Sequence, residues 1–446
     1  MITRRTRHSM LAVGIALATA GTLAACSSGA GSGSSTAGGS AATGKDPSSF
    51  TVLTANENPT LAKELDALAA NQCKAENKAL PLSHQTTAQA DVVQKVTLLA
   101  SQGSLPAHFI AGTAMVRPDG DLGKGKLVLD YKKALTDLGA WDDVLPAASS
   151  TVQSVYGQMV SLPYQYNVEG IWYNKEIFSK LGLTPPQTFD DLLADAKKVK
   201  DAGYTPFAID GKDAWPITRL IGMYIFRNVG PDAMKDIQSG KAKLTDAAYV
   251  KAATQVQQMA KDGYFGEGFI SKDAATANND FLTGKAAMKY DGSWLLANIN
   301  DKTQNKIGAD SIGLMPFPAV SGGKGSIDQW AANAGAAMAM STKSYGPKVS
   351  AWLKCITQNY GSQALQDAGV ISGFKVNKAV TDIPAPTKMV QEKVAGIKQT
   401  VLWFEALMDA KSTALAQSNV SLLTTGQMSP QDYMSQLQSS VDANKQ

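Results

Sequence analysis

Histidine is nearly missing from this 446-residue chain: His8, His84 and His108 are all there is, and His8 lies in a leader segment. Two remaining imidazoles exclude a His-rich metal cluster, and they leave a His-dependent catalytic triad almost no material. Cysteine is as scarce. Cys26, Cys73 and Cys355 are too few and too scattered for a zinc ribbon or a disulfide scaffold, so no metal centre is expected. An excess of one charge sign is lacking too. Lys plus Arg number 42 against 38 Asp plus Glu, and without Arg4, Arg5 and Arg7 of the leader the balance is 39 against 38. A chain so close to neutral lacks the basic surface that nucleic-acid binding requires. No Gly-x-Gly-x-x-Gly run follows a strand and no P-loop lysine motif occurs, so no phosphate-bearing cofactor is expected. Internal repeats are absent as well.

What is present is ordinary globular composition, 44% hydrophobic and 18% charged. The length is about three times the ~150 residues typical of one domain, enough for two lobes with cores of their own. Residues 1–25 read as a signal peptide: Arg4, Arg5 and Arg7 precede an apolar stretch from Met10 to Ala20, which is shorter than the ~20 residues of a membrane span. Leu23-Ala24-Ala25-Cys26 resembles the bacterial lipobox, whose cysteine becomes the lipidated first residue. Plain secretion with an incidental cysteine is the competing reading. Residues 26–49 then form a tether. Ser27 to Gly44 contains only Gly, Ser, Ala and Thr, which cannot bury apolar surface. The expectation is an extracytoplasmic, membrane-anchored monomer, exported by the general secretory route because the arginine pair lacks the rest of a twin-arginine pattern.

Strands are expected at Phe50–Thr54, Gly170–Tyr173, Thr205–Ile209, Ala286–Tyr290, Ser311–Met315 and Ala334–Met340. Helical spacing marks Leu61–Ala70, Val92–Leu99, Asp190–Val199, Ala247–Ala260, Tyr345–Asn359 and Pro430–Val441. Thr188 with Asp191 three residues on is a capping signal, and Ser429-Pro430 opens the last helix. Alternating strands and helices predict α/β layers.

The run from Leu162 to Phe178, with Pro163, Tyr164, Asn167, Glu169, Gly170, Trp172, Tyr173 and Asn174 in order, resembles the crossover segment of the family 1 extracellular solute-binding proteins. These are the sugar-binding subunits of ABC importers, maltose-binding protein among them. Gly182 to Pro186, Thr188-Phe189, Gly203 to Phe207, Phe281 to Met288 and Asp291-Gly292-Ser293-Trp294 continue the pattern over most of residues 50–440. The resemblance implies a two-lobed, type II periplasmic-binding-protein-like fold whose lobes are joined by crossover hinge strands. Residues 50–164 and 316–362 would form the first lobe, and 165–315 and 363–446 the second. Crossovers would fall at 164–170, at 315–318 and after Asn359. Where the family carries a Pro-Asp pair this chain has Pro106-Ala107, expected near a ligand-contacting loop.

A sugar presents apolar C–H faces and a rim of hydroxyls, so its site needs flat aromatics and planar polar groups. By that chemistry and by the resemblance, Trp215, Trp294, Trp330 and Trp403 are the candidate plates. Asn56, Glu57, Asp210, Arg219, Asp291 and Glu405 are the candidate rim. Core packing competes for every tryptophan; Trp172 and Trp352 read as core, and Trp141 is uninformative. Cys73 and Cys355 would both fall in the first lobe, either bridged or as two separate thiols. A secreted glycoside-active enzyme using carboxyls such as Glu57 and Asp291 is the alternative from another class. A binding protein for a peptide, polyamine or metal ion is a third reading.

Overall fold

The computed structural model describes residues 43–444 apart from Lys398. The leader, Cys26 and most of the predicted tether lie outside the described residues. Ten strands occur among them: β1 (Phe50–Ala55), β2 (Leu82–Thr87), β3 (His108–Ala111), β4 (Asn167–Asn174), β5 (Thr205–Phe207), β6 (Ala286–Gly292), β7 (Ile312–Met315), β8 (Gln329–Asn333), β9 (Ala337–Met340) and β10 (Gln399–Val401).

They form two sheets, each covered by helices, in a two-lobed α/β arrangement. The first has the order β2-β1-β3-β9, with β1 parallel to β2 and β3 and β9 antiparallel to β3. The second runs β10-β8-β4-β6-β5. β7 and β8 share one edge of β4, pairing with Ile171–Asn174 and Asn167–Glu169 respectively. Gly170 sits where those two strands meet. A Cβ there would lie 2.7 Å from the Met315 carbonyl oxygen and 2.9 Å from the Trp330 ring, so only glycine fits.

Burial divides the same way. One core runs from Phe50 to Tyr164 and resumes at Ala334 through Phe374. A second runs from Ile171 through Met315, Phe317, Val320 and Ala331, then takes up Val401 to Val441. A smaller cluster with Trp172, Leu295 and Trp330 covers the other face of the second sheet. The predicted crossover at 315–318 is therefore corrected to 333–337, and the segment from 316 to 333 belongs to the second lobe. Pro316 and Pro318 do end β7, but Phe317 stacks on Phe189 and its carbonyl takes a bond from buried Arg227, which turns the chain back into its own lobe. The third crossing follows 369–375, later than Asn359. There Tyr166 N–H bonds to Ile371 and Gly373 N–H to Pro163, at 2.9 and 2.8 Å.

Several local signals are realised. Thr188 and Asp191 form a reciprocal capping box on the helix Phe189–Asp201, and Ser429 caps Pro430–Ala443. The helix from Pro347 continues past Asn359 to Ala368 because Gly361 is a packing site rather than a breaker: the Phe374–Lys375 backbone presses against it. That helix begins after Gly346, which has no side chain to cap it. Asp46 supplies the cap, its carboxylate accepting from Lys348 and Val349 N–H, while Gly44 and Lys45 bond to the Tyr345 and Lys343 carbonyls. Residues 44–46 of the predicted tether are thus docked on the first lobe. Cys73 and Cys355 are bonded to each other across 282 residues of sequence. Pro106-Ala107 precedes the amino end of β3 and is buried, with Ala107 accepting from Ser341 N–H. Trp172 and Trp352 are fully buried.

Candidate functional site

β6 delivers the first part of the site. Its period-two alternation puts Met288 and Tyr290 into the second core and turns Lys289 and Asp291 to the other side. Lys289 Nζ lies 2.9 Å from Asp210 Oδ1 and 3.3 Å from Asp291 Oδ2, with all three groups buried. Burial alone would lower the lysine pKa; the two carboxylates outweigh it and hold the ammonium above its ordinary range. Asp291 is pushed by burial up to about 6 against the pull of Lys289. Asp210 Oδ2 is buried and meets no donor among the described residues. Past the strand end, Gly292 leaves room for the Trp294 ring, which a Cβ at 292 would overlap.

The helix Trp215–Asn228 builds the second part. Trp215, Thr218, Arg219 and Gly222 recur at the helical spacing i, i+3, i+4, i+7 and form one stripe. Ala214, just before it, has φ +62°, and Trp215 N–H bonds to Asp213 at 2.7 Å across a tight γ-turn of the strained hand. The stripe meets the segment carrying Trp403 to Glu405. Gly222 allows that approach, since a Cβ on it would lie 2.6 Å from Phe404 Cβ. Thr218 Oγ1 donates to Glu405 Oε1. Arg219 Nη1 donates to Glu405 Oε2 at 2.7 Å, and its Nε donates to Glu169 Oε2 at 3.0 Å. Burial works against the Arg219 charge, and Glu169 and Glu405 more than offset it.

The guanidinium lies over two indoles, with Cζ 5.5 Å from the Trp215 ring centre and 5.2 Å from that of Trp403. Trp294 meets Trp215 edge to face at 5.6 Å. A row results: Trp294, Trp215, Arg219, Trp403. It ends at the first lobe, because Trp403 and Leu402 pack against the first core and Arg117 Nη1 donates to the Met408 carbonyl at 2.9 Å. Beneath the row, Glu169 Oε1 accepts from Asn333, whose Oδ1 takes bonds from Asn167 and Gly335 N–H, and Asn167 Oδ1 accepts from Ser293. The crossings at Asn167 and Asn333 are thus tied to Ser293, the residue beside Trp294.

Trp215, Trp294, Arg219, Trp403 and Glu405 come together. Asp210 and Asp291 form a separate cluster around Lys289. Asn56 and Glu57 are exposed at the end of β1, where both Glu57 oxygens accept from Gln89 N–H. Between that strand end and the crossings lies a recess lined by Thr54, Asn58, Tyr164, Gln165 and Gly335. Asp213 is raised by burial, by Asp210 and also by Glu57 across the gap between lobes. Trp330 is a correction: it is buried in the cluster on the opposite sheet face with Lys393 over its ring, and it stays outside the row. Sequence reasoning missed Glu169, Thr218, Lys289, Asn333 and Arg117. Glu169 lay inside the quoted crossover motif. The stripe from Trp215, with Pro216 in the first turn, is a helix-start signal that could have found Thr218.

Polar groups already bound to one another, beside flat apolar plates, suit the holding of a neutral hydroxylated ring. They suit bond cleavage poorly. Asp291 is engaged with Lys289, and Glu57 with Gln89 N–H. Among the described residues, the one trio able to hold a metal is Cys73, Glu76 and Cys355, and its two sulfurs are bonded to each other.

Two lobes, three crossings and a lined gap between strand ends define a class, the two-lobed solute-binding fold. The family model for bacterial extracellular solute-binding protein matches residues 57–359, and the chain belongs to that family. It is 29% identical to a multiple sugar-binding protein of Streptococcus mutans over 178 residues, 39% of this chain and 40% of that one. The chain therefore spans less than half the length of that relative in the match. Among solved structures, a chitin oligosaccharide binding protein superposes with TM-score 0.77 at 23% identity, covering 89% of this chain and 99% of the other. The solute-binding protein RafE in complex with raffinose gives TM-score 0.70 at 18% identity, covering 89% and 100%. The family is extracellular, which places the chain outside the cytoplasm. Among the described residues no helix is long and apolar enough to cross a membrane.

Proposed function

We propose that this chain captures an oligosaccharide between its lobes and delivers it unaltered to the permease subunits of an ABC importer. One observation carries the reading: the row of three tryptophans and Arg219 at the junction of both lobes, braced by buried carboxylates that are already bonded. Indole faces take the C–H faces of the sugar rings. The free Asp210 Oδ2 takes a hydroxyl, and a sugar lacking that hydroxyl leaves it unsatisfied, which gives selectivity. Asn56 and Glu57 close on the ligand from the first lobe by rotation about the crossings. The protein is not an enzyme and works as a monomer. Lipidated Cys26 tethers it to the outer face of the cell membrane, and the tether lets it travel between solution and permease.

The sugar-binding names of relatives at 23–29% identity support the substrate class. A thermal-shift screen tests it, using raffinose, stachyose, chitin oligosaccharides and their monosaccharides. A ligand at 100 times its dissociation constant adds ~2.7 kcal/mol of stability. The expected result is a clear rise for at least one oligosaccharide. No response to any sugar, with a response to peptides or polyamines, overturns the proposal.

A further inference from the structure

Arg219 lies over two of the plates on which the proposed sugar would stack, and this deepens that reading. Its guanidinium carbon lies over the Trp215 ring at 5.5 Å and over the Trp403 ring at 5.2 Å. It cannot leave without stranding Glu169 and Glu405, each at most 3% exposed and each bonded to it. One carboxylate stands on the crossover strand β4, the other on the segment that carries Trp403. The plane is thus fixed from two directions, which an ammonium on a flexible stem would not achieve.

We infer that Arg219 is a positioning residue that sets the ligand length: its guanidinium covers one face of Trp215 and one face of Trp403, so no single sugar ring stacks on those two faces together, and a ligand that covers both indoles must carry at least two linked rings. Two carboxylates outweigh the single charge of the guanidinium, so it is not offered as a charge for an anionic sugar. Trp294, set edge to face against Trp215 at 5.6 Å, adds a further plate and provides for a third ring. The site discriminates by chain length rather than by the charge of the sugar.

The test compares raffinose with galactose, and chitotriose with N-acetylglucosamine, by calorimetry on the intact mature chain. Each additional plate engaged contributes about tenfold in affinity. Wild-type protein is expected to prefer a trisaccharide over its single ring by about a hundredfold on that basis. Arg219→Lys keeps a charge and loses the planar fork, so that preference collapses about tenfold. If Arg219→Lys does not fold, Glu405→Gln, which releases one of the two anchors, is expected to move the ratio the same way. Trp215→Leu and Trp403→Leu should each weaken the trisaccharide more than the single ring, and the double variant should lose less than the sum. A purely structural role would lower both affinities in proportion and leave the ratio unchanged, and that result overturns the inference. Equal affinity of wild-type protein for a trisaccharide and its single ring overturns it as well, with sugar capture intact. Binding of no sugar by the wild-type chain overturns both.

Discussion

In the first lobe burial pushes His108 and Glu64 toward their uncharged forms, whereas the second lobe buries ion clusters. His108 is fully enclosed, its Nδ1 bonded to the Ala339 carbonyl and its Nε2 without a partner, and burial lowers its pKa to about 4. Glu64, between the helices Pro59–Ala70 and Pro347–Ala368, is raised to about 7 by burial and then by Asp367. In the second lobe, Lys289 keeps its charge between Asp210 and Asp291, and Arg219 keeps its charge between Glu169 and Glu405. A dry interior suits a lobe that acts as a stapled scaffold. Paired charges held off solvent cost desolvation energy, and they are found where orientation of polar groups matters. On the proposed reading, this contrast fits recognition by the second lobe and closure by the first.

The largest expected effect strikes the second lobe. Glu405→Ala strands Arg219 and should cost about 3–5 kcal/mol in urea unfolding while also abolishing tight sugar binding. Loss of stability with full affinity would break the link between that ion cluster and the site. Removing the staple should do the reverse. The Cys73→Ser, Cys355→Ser double variant should lose about 2–5 kcal/mol of stability, yet retain wild-type affinity at a temperature where it is folded.

The pH profile sharpens the contrast within the first lobe. The unfolded chain protonates His108 near 6.5 and the folded chain only near 4, so stability falls as pH drops through that window, by up to about 3 kcal/mol. Glu64 acts with opposite sign. The folded chain holds its proton up to about 7 and the unfolded chain only to 4.5, so stability falls as pH rises through that range. Urea titrations of His108→Phe should lose the acid-side slope, and Glu64→Gln should be the more stable protein above pH 7. An unchanged profile in both variants would contradict the neutral-interior description.

Smaller effects follow at the plates. Trp294→Ala should weaken oligosaccharide binding by about 1–3 kcal/mol with little change in stability, because its ring is half-buried at a strand end. Ala214→Gly relieves the positive φ and should stabilise the fold by up to about 1 kcal/mol, while loosening Trp215 and lowering affinity slightly. A tighter-binding Ala214→Gly would show that the strain does not position the indole.

Much of this was legible in the residues, and the misses have physical causes. Short apolar and aromatic runs marked Gly170–Tyr173 of β4 and Ala286–Tyr290 of β6, and the capping pairs at Thr188 and Ser429 marked their helices, because those signals are local. β2 was missed: Leu82-Ser-His-Gln-Thr-Thr87 lies half in solvent and carries no apolar alternation. The crossover at 333–337 was misplaced because proline fixes where a ladder stops, while burial of Phe317 and Val320 decides which lobe the chain enters. Trp330 looked like the other plates by composition, but the residue on the far side of a strand faces another core, and one position of register decides that. The Glu169–Arg219–Glu405 cluster joins residues 50 and 186 positions apart, a pairing that no local pattern encodes.

The most direct test of the central claim is a prolonged incubation of the intact mature chain with the oligosaccharide giving the strongest thermal response, followed by release of the bound sugar and mass analysis. Saturable one-to-one binding and recovery of sugar of the original mass is the predicted result. Shortened products, or recovery of no sugar at all, would contradict it.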